Sequence, residues 1–218
     1  TTDFPDAKKF AKEVAKKISD LLPNDAELAG VGIGAPNGNF FKGTIEHAPN
    51  LQWKGIVPMT KYFSDALHCK AILTNDAKAA ALGELLFGGG KGMKDFIFIT
   101  LGTGLGSGIV VNGELVYGHD GFAGELGHVI VVPGGRLCGC GRKGCLERYC
   151  SATGIVLTYS EKKKMRAKDR DIDAKYIYEL AMSGDETAIE SFNQTGEMLG
   201  LALANSLTYT RPEAIFLF

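Results

Sequence analysis

The sequence predicts an α/β protein made of two units with a cleft between them. Three observations carry that expectation. Short apolar runs alternate with amphipathic stretches twice along the chain. A flexible run, Gly88 to Gly92 (GGGKG), separates the two series and marks a domain boundary, giving units 1–92 and 93–218. Polar or glycine-rich residues follow two of the strand candidates, at Asn75-Asp76 and at Gly102 to Gly106, which is where ligands collect in such sheets.

Taken in order, Asp6 to Leu22 places Phe10, Val14, Ile18, Leu21 and Leu22 on one stripe with lysines opposite, an amphipathic helix that starts after Pro5. Leu28 to Ala35 reads as a buried strand and Pro36 to Gly43 as a loop. Met59 to Leu67 is a short helix, Ala71 to Thr74 a strand, and Ala77 to Phe87 a helix. In the second unit, Phe96 to Leu101 is a strand. Ile109 to Val116 is a hairpin, because Asn112-Gly113 fits a type I′ turn. His128 to Val132 is a further strand, and Pro133 to Gly144 is a loop. Helices are expected over Ile172 to Met182 and Asp185 to Leu207, then a strand over Ala214 to Phe218. The charge run from Lys162 to Arg170 reads as a solvated helix face or linker. Because the sequence starts at Thr1 rather than Met and stops inside a strand, it reads as an excerpt lacking pieces at both ends.

Composition bounds the function classes. The 218 residues are 45% apolar and 22% charged, as in folded globular proteins and unlike disordered ones. A net charge of −1 gives no sign of a broadly basic nucleic-acid binder. No apolar run approaches the ~18 residues that span a bilayer, and the first residues carry no signal-peptide pattern. The chain holds 29 glycines, where ordinary usage of ~7% gives about 15. Many lie between Gly88 and Gly144, so that stretch requires backbone rather than side chains.

Four clusters bear chemistry. Cys138, Cys140 and Cys145 fall within eight residues, a spacing suited to tetrahedral zinc in a reduced, cytoplasmic protein rather than to a disulfide framework. The fourth ligand is open on spacing alone, with His128 ahead of His47, His68 and His119. Four protein ligands close the coordination, so such zinc is structural. Next, Leu101-Gly-Thr-Gly-Leu-Gly-Ser-Gly108 follows a strand, and its main chain could approach phosphate, or simply form a tight hairpin. It fits neither a dinucleotide fingerprint nor a Walker loop. Asp76 can serve as a general base at a strand end or as the cap of the helix after it, and unaided the cap is the commoner use. Finally, Glu125, His128 and Glu147 are of the kind that hold vicinal sugar hydroxyls, although Glu125 could equally be a surface charge. One nitrogen of His128 could face a metal and the other a substrate.

Together these segments resemble the ROK family of sugar kinases and repressors. The resemblance rests on Asn75-Asp-Ala-Lys-Ala-Ala-Ala-Leu-Gly-Glu84, Leu101-Gly-Thr-Gly-Leu-Gly-Ser-Gly-Ile109, Gly121-Phe-Ala-Gly-Glu-Leu-Gly-His128 and Cys138-Gly-Cys-Gly-Arg-Lys-Gly-Cys-Leu-Glu147, in the family's order and spacing. It implies a two-lobed, actin-like (ribonuclease-H-like) kinase fold with its first strands upstream of Thr1. It further implies ATP with Mg²⁺, a hexose such as glucose phosphorylated at its 6-hydroxyl, and a homodimer. It assigns Asp76 as base and Asn75, Glu125, His128 and Glu147 as sugar contacts, with Asn50 joining them. Gly102, Thr103 and Gly104 would face the ATP phosphates, and His128, Cys138, Cys140 and Cys145 would hold structural zinc. The alternative within the family is a sugar-responsive repressor with a DNA-binding domain ahead of Thr1.

Overall fold

The computed structural model describes residues 4–165 and 172–218. Helix α1 (Ala7–Leu21) starts where Asp6 caps it, the Asp6 carboxylate accepting from the Lys9 N–H at 2.6 Å. Its stripe of Phe10, Val14 and Ile18 packs on a core that includes Trp53, Met59, Phe63 and Leu73. Strand β1 (Gly30–Gly34) is half-buried rather than buried. Ile33 packs on that core while the alternate glycines face out. The segment expected to be loop contains β2 (Gly38–Asn39), which pairs with β3 (Thr44–Glu46), and β3 pairs with β4 (Ile56–Val57). Two- and three-residue strands are too short to leave a periodic signal. Helix α2 (Met59–Leu67) has the expected bounds, and β5 (Lys70–Thr74) lies parallel to β1.

Helix α3 (Asp76–Phe87) leaves the carboxyl end of β5 and packs against β1 on one side and the second sheet on the other. That sheet is built on β6 (Phe96–Leu101), which turns back into β7 (Leu105–Val111) and then β8 (Glu114–Leu115). Asn112 and Gly113 take φ of 53° and 78°, as a type I′ turn requires. β6 is buried on both faces, which explains its unbroken apolar run. Phe96 and Phe98 join Ala81 and Val110 on the α3 side, whereas Ile97 and Ile99 join Leu126, Leu146 and Ala202 on the other.

The strand expected over His128 to Val132 does not form. Leu126–His128 is a 3₁₀ turn, and the segment after it bonds to the cysteine loop instead, with the Val131 and Val132 N–H groups both donating to Gly144 O. The loop is followed by α4 (Glu147–Cys150) and α5 (Ala152–Lys162), neither expected from the pattern. Helix α4 is only four residues long, and α5 buries small and polar positions such as Gly154, Thr158 and Ser160. Helix α6 (Ala174–Met182) starts at its Asp173 cap, and α7 (Glu186–Thr210) runs one turn past expectation. β9 (Ala214–Leu217) closes the sheet parallel to β6, giving the order β8-β7-β6-β9. Lys162 and Lys163 pair with Glu190 and Asp185 at exposed helix ends, while the Arg166–Arg170 part of the charge run lies outside the described residues. Among the described residues, no helix is long and apolar enough to cross a membrane.

The glycines of β7 explain the seat of α3. A Cβ at Gly106 would lie 2.7 Å from Ala77 Cβ, and one at Gly108 would lie 2.5 Å from Ala81 Cβ. Ala77 and Ala81 are one helical turn apart, so a row of hydrogens on the strand meets a row of methyls on the helix. Replacing Gly108 with valine should cost about 1–3 kcal/mol by overpacking. Thermal denaturation should show a clear drop in Tm for Gly108→Val and little change for Gly32→Ala, whose added methyl meets nothing within 4 Å. A Gly108→Val protein that melts with the wild type would contradict this packing.

Candidate functional site

The first part of the site is the start of α3. The cap is Asn75, not Asp76: its backbone is extended (ψ 146°), and its Oδ1 accepts from the N–H groups of Ala77 at 2.9 Å and Lys78 at 3.3 Å. Asp76 is the first helical residue. It is exposed, and among the described residues only its Oδ1 is engaged, by the Ala77 N–H at 2.9 Å. A carboxylate there is favoured by the helix dipole and by the unpaired N–H groups of the first turn. With Asn75 in the capping role, Asp76 is available for chemistry at the strand end.

The second part is the loop after β8. Lys78, two residues beyond Asp76, is only 1% exposed. Its Nζ donates to Gly121 O at 3.0 Å and lies 5.4 Å from the Tyr117 ring centroid. Burial pushes its pKa down, opposed by the carboxylates of Glu125 and Asp120. Burial pushes the Glu125 pKa up. Lys78 and His128 pull it back, while Asp76 and Glu147 push it further up. Glu125 is therefore within electrostatic reach of Asp76, His128 and Glu147, so it is not an isolated surface charge. Ser107 fixes this stretch from β7, donating to Gly124 O at 2.6 Å and accepting from the Leu126 N–H at 2.9 Å. Sequence reading missed Lys78 and Ser107. Their signals were a lysine inside an otherwise apolar helix face and a serine interrupting a glycine run.

The third part is the cysteine loop. One ligand atom each from His128, Cys138, Cys140 and Cys145 lies within 4.8 Å of all the others. Tetrahedral zinc with bonds of about 2.3 Å to sulfur and 2.0–2.1 Å to nitrogen sets S···S near 3.8 Å and N···S near 3.6 Å. The structure has Cys140 Sγ 3.6 Å from Cys145 Sγ and Cys138 Sγ 3.6 Å from His128 Nδ1. The residues therefore fit a metal of that kind, with His128 as the fourth ligand rather than His47, His68 or His119. Because Nδ1 faces the thiols, Nε2 across the ring points away from them. Burial opposes ionisation of Cys140, yet hydrogen bonds from Arg142 outweigh it and bring the thiol down to about 7. Burial and its neighbouring thiols push Cys145 up to about 12, a penalty that a bound cation would reverse.

Glu147 links this loop to the glycine turn. Its Oε2 accepts from the Leu105 N–H at 3.0 Å, and its Oε1 lies 3.9 Å from Cys138 Sγ. A Cβ at Gly104 would come 2.5 Å from Glu147 Oε2, so a side chain there would displace that carboxylate. Gly102, Thr103 and Gly104 form the turn of the β6–β7 hairpin, with Gly102 and Thr103 exposed. Their carbonyls are tied down, Gly102 O by the Ala152 N–H and Thr103 O by the Thr153 hydroxyl, each at 2.9 Å. The neighbouring Gly106 and Gly108 serve helix packing instead. Asn50 stands apart: it is exposed in the turn Ala48–Leu51, and among the described residues no hydrogen bond or ion pair joins it to the others.

The ROK family model matches residues 5–217. The chain belongs to the ROK family. It is 38% identical to a glucokinase of Halalkalibacterium halodurans, covering 99% of this chain and 66% of that protein. It is 32% identical to a xylose repressor of Caldicellulosiruptor bescii, covering 94% of this chain and 53% of that one. Among solved structures it resembles a ROK family glucokinase of Streptomyces griseus in complex with glucose and AMPPNP. That match has 33% identity and a TM-score of 0.79 and covers 98% of this chain and 72% of the other. This ROK chain therefore spans about two thirds of the length of the glucokinases it matches. The expected actin-like α/β fold holds, since the architecture superposes on ROK kinases.

The Cys/His cluster of this ROK protein predicts about one divalent ion per chain by elemental analysis. Cys145→Ser should lose most of it and lower Tm. A folded wild-type protein that stays metal-free after incubation with zinc would contradict the site.

Proposed function

We propose that the protein to which this chain belongs phosphorylates a hexose with ATP, most simply glucose at its 6-hydroxyl. The observation that carries this reading is the exposed Asp76 carboxylate at the end of β5, freed from capping by Asn75 and grouped with Glu125, His128 and Glu147. Support comes from the relatives named as glucokinases at 35–38% identity and from the S. griseus enzyme bound to glucose and AMPPNP.

In this mechanism the sugar ring lies against Glu125, His128 Nε2, Glu147 and the amide of Asn75, with Asn50 reaching it from the exposed turn. Asp76 accepts the proton of the primary hydroxyl as that oxygen attacks the γ-phosphorus in line. Gly102, Thr103 and Gly104 face the phosphates of ATP, which enters as its Mg²⁺ complex so that phosphate charge is partly neutralised. Most of the rate arises from positioning the hydroxyl and the phosphoryl group. We assign zinc to the cysteine loop. When bound, it supplies a closed structural cross-link and no open position for water. The ring of His128 is then held from behind, with Nε2 presented to the sugar. Residues 1–92 and 93–218 are taken as the two lobes, meeting along α3. A homodimer in the cytoplasm completes the proposal, consistent with five unpaired cysteines.

The second reading is a sugar-responsive repressor. It is favoured by the xylose repressor relatives and by a ROK family transcriptional regulator, the homolog of E. coli MLC, at 27% identity and TM-score 0.83. The presence of Asp76 favours the kinase.

The test is ADP release by the full-length protein across a panel of hexoses. Turnover with at least one hexose is expected. Asp76→Asn should lower kcat by about 10²–10⁴-fold while leaving the sugar dissociation constant within a few-fold. Near-normal turnover in that variant would reject the base assignment. Sugar binding without ADP release in the wild type would favour the repressor.

A further inference from the structure

We propose that Lys78 is a positioning residue for the sugar: it ties loop 117–125, which carries Glu125, to the helix that carries Asp76. The sugar rests on the kinase reading above, but the geometry does not.

Among the described residues, three side chains from different elements hold the backbone carbonyls of loop 117–125. Asn39 of β2 donates to Asp120 O at 2.9 Å, Ser107 of β7 clamps Gly124 and Leu126, and Lys78 of α3 donates to Gly121 O at 3.0 Å. Gly121 takes φ +92°, and a Cβ there would press on Asn39 Oδ1 at 2.9 Å, so its peptide is held in a conformation few residues adopt. Lys78 is the charged anchor and the one on the helix of the base, half a turn from Asp76. Its Nζ lies 5.4 Å from the Tyr117 ring centroid, and the Tyr117 hydroxyl accepts from Thr74 Oγ1 at the end of β5. Asp76, Lys78, Tyr117 and Gly121 thus form one connected set.

A buried ammonium is costly unless its hydrogen bonds are made. An apolar side chain of the same length would pack with less penalty, so lysine here is best explained by what its Nζ holds. Without that hydrogen bond the Gly121 peptide is free to turn, and Glu125 four residues on loses its fixed distance from Asp76. The effect should fall on recognition of the sugar rather than on ATP, whose expected contacts lie at the 102–104 turn.

The test compares full-length wild type, Lys78→Met and Lys78→Gln by calorimetric glucose binding and steady-state kinetics. Lys78→Met keeps the length and loses the donor; Lys78→Gln keeps a donor without the charge. Lys78→Met should weaken glucose binding at least tenfold and raise the glucose KM similarly. The ATP KM should change less than twofold, and kcat should fall by less than the glucose KM rises. Lys78→Gln should recover glucose affinity to within threefold of wild type. Wild-type glucose affinity in Lys78→Met, equal losses for glucose and ATP, or a Lys78→Gln variant as weak as Lys78→Met would overturn the proposal. If the wild type binds glucose but releases no ADP, the kinase reading fails and the binding constants still decide the role of Lys78. If it binds neither glucose nor any other hexose of the panel, both fail.

Discussion

Close approach of α3 to the glycine face of β7 is the constraint on which the rest depends. Helix and strand meet through Ala77 and Ala81 against Gly106 and Gly108, without a side chain between them. That contact sets the helix between the β1–β5 pair and the larger sheet, and so aims its first turn at the carboxyl ends of the strands. Asn75, Asp76 and Lys78 all belong to that turn. Their chemistry follows from where the helix sits: one residue caps, the next stays exposed, and the third reaches inward to the loop after β8.

The second half of the site is held by a chain of polar contacts in addition to the apolar core that takes Leu126 and Leu146. Ser107 grips the backbone around Glu125, the 3₁₀ turn delivers His128 to the cysteines, and Glu147 spans from Leu105 N–H to the cysteine loop. Arg136 braces that loop on α5, with its guanidinium on Glu161, on Arg148 O and over the Tyr149 ring. Such networks are sensitive to the loss of a single member, because a buried polar group left alone is expensive. A metal held by four side chains from this one loop and turn would replace several weak constraints with one strong one.

Much of this was legible in the sequence, and the reasons differ by element. Apolar patterning located α1, α2, α3 and β6 almost to the residue, and Asn112-Gly113 located the hairpin, whose turn takes the positive φ angles that pair favours. The cysteine spacing points to a metal-ligating loop, but nothing in spacing alone chooses His128 among four histidines. The three-dimensional return of the chain does that. The apolar run His128 to Val132 misled because apolar alternation reports a preference for extended backbone, whereas the ligand loop claimed its N–H groups. The residues alone favour Asp76 as the cap, whereas its neighbour Asn75 holds that place, a one-residue distinction that only the backbone angles resolve. Lys78 and Ser107 went unread because single polar residues in apolar or glycine-rich surroundings carry no period.

The central claim is that Asp76 faces an alcohol whose ring is held by Glu125, His128 and Glu147. Its most direct measurement is a crystal structure of the full-length protein with glucose and a non-hydrolysable ATP analogue. The account predicts the Asp76 carboxylate about 2.6–3.2 Å from the 6-hydroxyl oxygen, with that oxygen aligned on the γ-phosphorus and the ring hydroxyls on the three other side chains. A sugar bound elsewhere, or an Asp76 side chain turned from the cleft with another acid on the hydroxyl, would contradict it.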